Sequence, residues 1–133
     1  MNIAFFLLPK SEVIYLNDKS TLRQAIERME YHNYSAVPVV SDGGIYVDTL
    51  TEGDILWYMK NTKGLTFDTA SQFFIRDIPR QREMKSVNID AEMIDLIELA
   101  KLQNFVPVVD DQGVFIGIVR RGDIINYCFD RIK

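Results

Sequence analysis

The chain repeats itself, and this repetition constrains its fold more than any other feature. Val37-Pro38-Val39-Val40 returns as Val106-Pro107-Val108-Val109, and Gly53-Asp54-Ile55 returns as Gly122-Asp123-Ile124. Both pairs have the same offset, since 107 − 38 and 123 − 54 each equal 69. One shared offset over two separate motifs indicates a tandem duplication. We expect the two half-units to pack on each other and to form symmetry-related clefts.

The pattern around these motifs predicts helix, strand, strand, helix in each repeat. The first helix of each repeat is indicated by apolar residues at i, i+3, i+4 and i+7, namely Leu22, Ala25, Ile26 and Met29, repeated as Met93, Leu96, Ile97 and Ala100. The predicted strands are 37–40, 45–50, 106–109 and 114–119, and the predicted second helices are 54–60 and 123–132. Gly-containing turns separate the strands of each repeat.

Composition narrows the class of protein. A chain of 133 residues with 47% hydrophobic residues is expected to form one compact domain. The single cysteine fits a reducing compartment, so we expect a cytoplasmic protein. A net charge of −4 argues against a nucleic-acid binder, and the apolar run Ile3 to Leu8 is too short for a signal peptide or membrane span.

The sequence offers little support for catalysis or metal binding. His32 is the only histidine, and its place beside Asn33 at a predicted helix end favours a solvated or capping role. One cysteine and one histidine do not make a typical zinc site. We therefore predict neither an enzyme nor a catalytic cofactor.

The order of these motifs resembles the cystathionine β-synthase (CBS) domain, and two in tandem resemble a CBS pair, or Bateman module. The resemblance runs from about Lys10 to Tyr127. It implies an α/β (α+β) fold in which two β-α-β-β-α repeats pack through their sheets with pseudo-two-fold symmetry. It also implies clefts that bind adenosine derivatives, and disc-like dimers. We place the first repeat at 1–66, a packed connecting segment at 67–86 and the second repeat at 87–133.

The family's nucleotide motif is Gly, two apolar residues, Ser or Thr, two variable residues, then Asp. The first repeat keeps Thr51 and Asp54 but has Asp48 in place of the glycine. The second repeat keeps Gly117 and Asp123 but replaces the Thr with Arg120. The resemblance implies that Asp54 and Asp123 accept hydrogen bonds from ribose hydroxyls and that Thr51 contacts ribose or phosphate.

Both motifs leave alternatives open. Thr51-x-x-Asp54 before an apolar pair is also a helix capping box, in which both side chains satisfy the helix's own amides. Arg120 cannot cap a helix in this way because a guanidinium only donates hydrogen bonds. Together with Arg121 it could instead hold a phosphate, although exposed arginines are common.

Further ligand contacts are expected near the start of each β-rich run and before each repeat. The adenine slot is predicted from Tyr34, Ser35 and Ala36 in the first repeat and from Phe105 and Val106 in the second. Core packing is an equally good interpretation of Tyr34 and Phe105. Lys10 and Arg80 each follow a proline, and both could reach a phosphate.

These observations lead to one functional prediction and one alternative. The chain is predicted to be a regulatory module that binds AMP, ADP, ATP or cyclic di-AMP in an inter-repeat cleft and signals to an unidentified effector protein. Small stand-alone bacterial CBS-pair proteins that bind cyclic di-AMP are similar in layout, including the Asp-Ile-Pro-Arg segment at 77–80. We expect a homodimer. The alternative is a structural dimerisation module with degenerate nucleotide sites.

Overall fold

The computed structural model describes residues 2–133, which fold into two compact units. The first-repeat unit comprises Tyr15–Gly43 and Val47–Glu83. The second-repeat unit comprises the N-terminal segment through Ile14 together with Gly44–Tyr46 and Met84–Lys133. Each unit therefore combines one repeat with the segment that precedes the other repeat in the sequence.

Strands and helices follow the predicted order within each repeat. The strands are β1 (Leu8–Pro9), β2 (Leu16–Asn17), β3 (Ala36–Val40), β4 (Tyr46–Thr51), β5 (Val87–Asn88), β6 (Phe105–Val109) and β7 (Phe115–Arg120). The helices are α1 (Leu22–His32), α2 (Glu52–Asn61), α3 (Met93–Ala100) and α4 (Arg121–Ile132). Short 3-10 turns lie at Ile3–Phe6, Lys10–Glu12, Ala70–Gln72 and Ile75–Asp77. The predicted α+β fold with tandem β-α-β-β-α repeats is confirmed.

Two small sheets carry the strands. One has the order β2-β3-β4 and the other the order β1-β7-β6-β5. The first strand of each repeat runs parallel to the second, so β2 pairs with β3 and β5 pairs with β6. The connection within each parallel pair is a helix, as parallel neighbours require.

The helices begin where local capping dictates. Thr21 caps α1 by accepting a hydrogen bond from the Gln24 amide, and the Gln24 side chain accepts one from the Thr21 amide. The helix ends at Asn33, which adopts the left-handed conformation at φ 57°. The second helices α2 and α4 start two residues before the predicted positions, because β4 and β7 run directly into them.

Each unit has its own apolar core. In the first-repeat unit the buried side chains include Leu16, Leu22, Val37, Leu50 and Ile75. Ile75 and Ile78 show that the segment after α2 packs into this core instead of acting as a free linker. The core of the second-repeat unit is built from Ile3, Leu96, Val106, Val108, Val119 and Ile124, with Met93 at its edge.

One strand distinguishes the two sheets. β1 pairs antiparallel with β7, with Pro9 opposite Gly117. A Cβ on Gly117 would lie 2.2 Å from the Leu8 carbonyl oxygen. The fourth strand of this sheet therefore depends on the absence of a side chain at residue 117. The equivalent residue of the first repeat is Asp48, and the sheet there has three strands.

Both units contain the same hydrogen bond between an asparagine and an aspartate side chain. Asn17 at the end of β2 donates to Asp42, and Asn88 at the end of β5 donates to Asp111, so each parallel strand is tied to the turn after its neighbour. The hydrogen bond from Lys19 to Asp42 lowers the pKa of the Asp42 carboxyl and raises the pKa of Lys19. This ion pair is exposed, so salt screens it.

Candidate functional site

The first-repeat motif forms a complete capping box at the start of α2. The Thr51 hydroxyl accepts a hydrogen bond from the Asp54 amide at 3.2 Å, and Asp54 Oδ2 accepts one from the Thr51 amide at 2.9 Å. Asp54 is 2% exposed, and its Oδ1 accepts a third hydrogen bond, from the Gln81 amide at 2.7 Å. The capping interpretation is confirmed, and both carboxylate oxygens have protein partners.

Arg80 lies beside this motif and donates hydrogen bonds to three acceptor atoms, while its Nε has no hydrogen-bond partner among the described residues. Its Nε lies 2.9 Å from Asp48 Oδ2, and its Nη2 lies 3.2 Å from Asp48 Oδ1. Its Nη1 donates to the carbonyl oxygens of Ile75 and Ile78. The Arg80 side chain is 14% exposed, and that of Asp48 is 32% exposed. Asp48, which stands where the nucleotide motif has glycine, thus neutralises the charge of Arg80.

The second-repeat motif has a different arrangement. Arg120 occupies the N-cap position of α4, and its side chain makes no capping hydrogen bond, as expected for a guanidinium. Its Nε lies 3.1 Å from Asp123 Oδ2 instead, with side-chain exposures of 59% and 34%. The Asp123 carboxylate is therefore open to solvent where the Asp54 carboxylate is not.

Arg121 turns toward another helix. Its Nε donates to the carbonyl oxygens of Ala100 and Gln103, each at 2.9 Å, and so satisfies acceptors at the carboxyl end of α3. Arg120 and Arg121 thus have different partners. Their adjacency in the sequence suggested that both side chains could bind one phosphate. The structure does not hold them ready to do so.

The residues predicted to form the adenine slot have varied environments. Tyr34 is 44% exposed and stacks on His32 with ring centroids 5.5 Å apart, so its core-packing alternative is wrong. The Ser35 carbonyl accepts the Glu52 amide at 2.9 Å, and Ala36 begins β3. In the second repeat Phe105 is half-buried at the start of β6, whereas Val106 is fully buried in the core.

A groove of about 570 Å³ lies between α1 and α2 of the first-repeat unit. Its lining is mostly apolar and includes Ile26, Met29, Leu56, Met59 and Phe67. Tyr34 also lines it, together with Glu30 at one side and Glu52 and Gly53 at the start of α2. The groove thus has an apolar floor and an acidic rim, and Thr51 and Asp54 are not among its lining residues.

Two contacts at the first-repeat motif were not predicted from the sequence. The Gln81 amide binds Asp54 across 27 residues of chain, and Asp48 pairs with Arg80 across 32. In the second-repeat unit Gln103 is 3% exposed and exchanges hydrogen bonds with the Lys85 backbone. No periodicity or short motif marks these partners. The one sequence feature that pointed to any of them is the aspartate at residue 48, where the motif has glycine.

Lys10 opens the 3-10 turn Lys10–Glu12, which packs on β7. Within residues 2–133, no cluster of three or more His, Cys, Asp and Glu side chains is placed to hold a metal ion. In the same part of the chain, no helix has the length and apolarity required to cross a membrane.

Comparison with known proteins identifies both repeats. The model of the CBS domain family matches residues 7–61 and 75–130, which together make up most of the chain. No protein of curated function matches the sequence significantly.

Solved structures share the whole fold. The CBS domain protein from Streptococcus pneumoniae TIGR4 is 25% identical, with a TM-score of 0.84 over 97% of this chain and 87% of that chain. The CbpB protein of Listeria monocytogenes, in complex with c-di-AMP, is 18% identical, with a TM-score of 0.84 over 99% and 98% of the two chains. CBSX2 in complex with AMP is 18% identical, with a TM-score of 0.77 over 99% and 98%. At these identities the likeness concerns the fold.

Proposed function

We propose that this chain, which belongs to the CBS domain family, is a regulatory module that binds an adenine nucleotide and signals its presence to another protein. The ligand class comprises AMP, ADP, ATP and cyclic di-AMP. The observation that carries the proposal is the matched pair of motifs at the starts of α2 and α4. Each places an aspartate, Asp54 or Asp123, at a helix amino terminus.

Physical chemistry supports nucleotide binding at such a position. A helix amino terminus presents unpaired amides and the positive end of the helix dipole, which favour phosphate. A carboxylate beside them accepts hydrogen bonds from ribose hydroxyls. Two proteins of the same fold, CbpB and CBSX2, were crystallised with c-di-AMP and AMP respectively. This precedent supports adenine as the base.

The open second-repeat motif is the better candidate for first contact with the ligand. Asp123 is partly exposed, and its carboxylate pairs with the exposed Arg120, which a phosphate could draw away. Asp54 is buried and has three hydrogen bonds within the protein. We therefore propose ribose recognition by Asp123 with phosphate contact from Arg120.

The alternative function is a dimerisation module whose nucleotide motifs serve only as structural caps. The full engagement of Asp54 and the pairing of Arg80 with Asp48 favour it. So does an apolar stripe on α4, where Ile125, Phe129 and Ile132 are exposed on one face. A homodimer is compatible with both functions, since a sensor also needs a surface for its partner.

Thermal unfolding with candidate ligands separates these functions. A ligand at 100 times its dissociation constant stabilises the folded state by about 2.7 kcal/mol, which raises Tm by several degrees. We expect such a rise with at least one of AMP, ADP, ATP and cyclic di-AMP, and a smaller one with the guanine counterparts. If no adenine nucleotide shifts Tm, the chain is a structural module and the sensor proposal is wrong.

Matched variants then locate the site. Asp123→Asn should reduce the ligand-induced shift strongly while leaving the ligand-free Tm nearly unchanged, because the side chain is partly exposed. Asp130→Asn is the control, since it removes an equal charge from the last turns of the same helix. A ligand-induced shift that keeps its wild-type size in Asp123→Asn would contradict the assignment to this motif.

A further inference from the structure

Asp48 has a geometry that the duplicated motif does not explain. The equivalent residue of the other repeat is Gly117, over which the backbone of β1 passes closely enough to pair as a strand. A side chain at this position prevents that approach. In the first-repeat unit the corresponding segment, residues 78–81, is held in another way.

Two carboxylates fasten this segment. Asp48 Oδ1 accepts a hydrogen bond from Arg80 Nη2 at 3.2 Å, and the Arg80 Nε lies within ion-pair distance of Asp48 Oδ2, at 2.9 Å. Asp54 accepts a hydrogen bond from the adjacent Gln81 amide at 2.7 Å. Asp48 lies in the middle of β4, and Asp54 lies in the first turn of α2. Neighbouring residues of one segment are thereby attached to both ends of the nucleotide motif. We call Asp48, Arg80, Gln81 and Asp54 the clasp.

The clasp removes both functional groups that a nucleotide would need at this motif. A ribose hydroxyl has to displace the Gln81 amide from Asp54 Oδ1 before it can bind there, because the Asp54 carboxylate is 2% exposed. A phosphate has to displace Asp48 from Arg80 and then lie beside the released carboxylate. A guanidinium that pairs with a carboxylate uses the same N–H donors and the same charge with which it would bind a phosphate.

We infer that Asp48 is a specificity-determining residue: it acts as a resident anion on Arg80 and so disfavours phosphate-bearing ligands at the first-repeat motif. The inference rests on the proposed function, since it concerns which ligands that motif admits. A neutral nucleoside meets no charge penalty from Asp48, whereas each phosphate does. The two motifs therefore differ in their preference for phosphate. The arginine of the second-repeat motif, Arg120, is in an exposed ion pair, whereas Arg80 beside the first-repeat motif is in a largely buried one.

Isothermal titration calorimetry measures the affinities of AMP and adenosine for two proteins, one with Asp48 and one with Asp48→Asn. To isolate the first-repeat motif, both proteins also carry Asp123→Asn. We expect Asp48→Asn to raise AMP affinity about tenfold, the effect of one charge-assisted hydrogen bond, and to change adenosine affinity less than about threefold. Adding Arg80→Met should remove the AMP gain, because Arg80 is the group that Asp48 releases.

Hydrogen exchange gives a readout without ligand. Removing the charge at residue 48 should speed exchange of the Gln81 amide about tenfold, because one of the segment's two attachments is weakened from an ion pair to a neutral hydrogen bond. Asp42→Asn is the control. It removes an equal charge and an ion pair from an exposed turn of the same unit, and it should leave the Gln81 amide unchanged.

Each outcome bears on one claim. If AMP binds both proteins equally well, or binds Asp48→Asn more weakly, Asp48 does not select against phosphate and the inference is wrong. An unchanged Gln81 exchange rate would likewise overturn the clasp. If none of adenosine, AMP, ADP, ATP and cyclic di-AMP binds the parent Asp123→Asn protein, the Asp48→Asn variant or the unmodified chain, the proposed function itself is wrong, and the selectivity fails with it.

Discussion

Asp54 and Asp123 are equivalent residues of the two repeats with unequal structural roles. Asp54 caps α2 and binds the Gln81 amide, whereas Asp123 pairs with an exposed arginine. Replacing Asp54 leaves the Thr51 and Gln81 amides without their acceptor, and the site is buried. Asp54→Ala should therefore lower the free energy of unfolding by about 2–4 kcal/mol.

The matched substitution Asp123→Ala should cost less than about 1 kcal/mol, because the lost ion pair is solvent-exposed. Urea unfolding monitored by circular dichroism measures both variants. Equal losses of stability at the two positions would contradict the different roles described for the two carboxylates.

Gln103 provides a second test at the residue scale. Its side-chain oxygen accepts the Lys85 amide at 2.8 Å, and its side-chain nitrogen donates to the carbonyl oxygens of Lys85 and Phe105. Gln103→Leu has similar volume but leaves these buried backbone groups unpaired. The expected loss is about 2–4 kcal/mol. Gln112→Leu, at an exposed turn, should be nearly neutral, and a neutral Gln103→Leu would refute the anchoring role.

Among the elements, β1 depends most on a single residue. Gly117→Ala would place a Cβ 2.2 Å from the Leu8 carbonyl oxygen and 2.9 Å from the Leu7 side chain. We expect it to separate β1 from β7, lower Tm, and deprotect the amides of Leu7, Leu8 and Lys10 in hydrogen exchange. In Gly122→Ala no atom outside the helix meets the new Cβ within 4 Å. Helix propensity should make that control neutral or stabilising.

A Gly117→Ala protein that retains wild-type protection at Leu7, Leu8 and Lys10 would show that strand pairing tolerates a side chain there. It would also remove the physical reason given for the different number of strands in the two sheets.

The helices and strands that could be predicted are those encoded by short patterns in the sequence. The helical faces of α1 and α3, the strands β3 and β6, and the Thr51–Asp54 box are all encoded within a few neighbouring residues. Pairings between distant residues were not predictable, because nothing near Asp48 in the sequence indicates Arg80. The allocation of residues 8–10 and 78–80 to particular units also arises from tertiary packing, which the hydrophobic pattern does not encode.

The whole molecule exposes apolar side chains on both second helices. Leu56 on α2 and Ile125 on α4 are equivalent residues, 57% and 56% exposed. Exposed apolar stripes of this kind are typical of protein interfaces. We expect light scattering to give twice the 15.4 kDa of one chain for the wild type. Ile125→Glu should shift the mass toward one chain, because it buries a charge in the proposed interface.

Leu102→Glu is the control for dimerisation. It makes the same kind of change at an exposed apolar residue outside these helices, and it should leave the mass unchanged. A wild-type protein that has the mass of one chain at all concentrations would contradict the homodimer proposal without affecting the nucleotide proposal.

Nucleotide binding is the central claim, and isothermal titration calorimetry of the unmodified chain tests it most directly. Cyclic di-AMP and AMP are titrated separately, with cyclic di-GMP and GMP as matched controls for the base. We expect saturable binding of at least one adenine ligand, with its guanine counterpart binding at least about tenfold more weakly, a difference of about 1.4 kcal/mol. The absence of saturable binding for both adenine ligands at concentrations up to about 1 mM would contradict the claim.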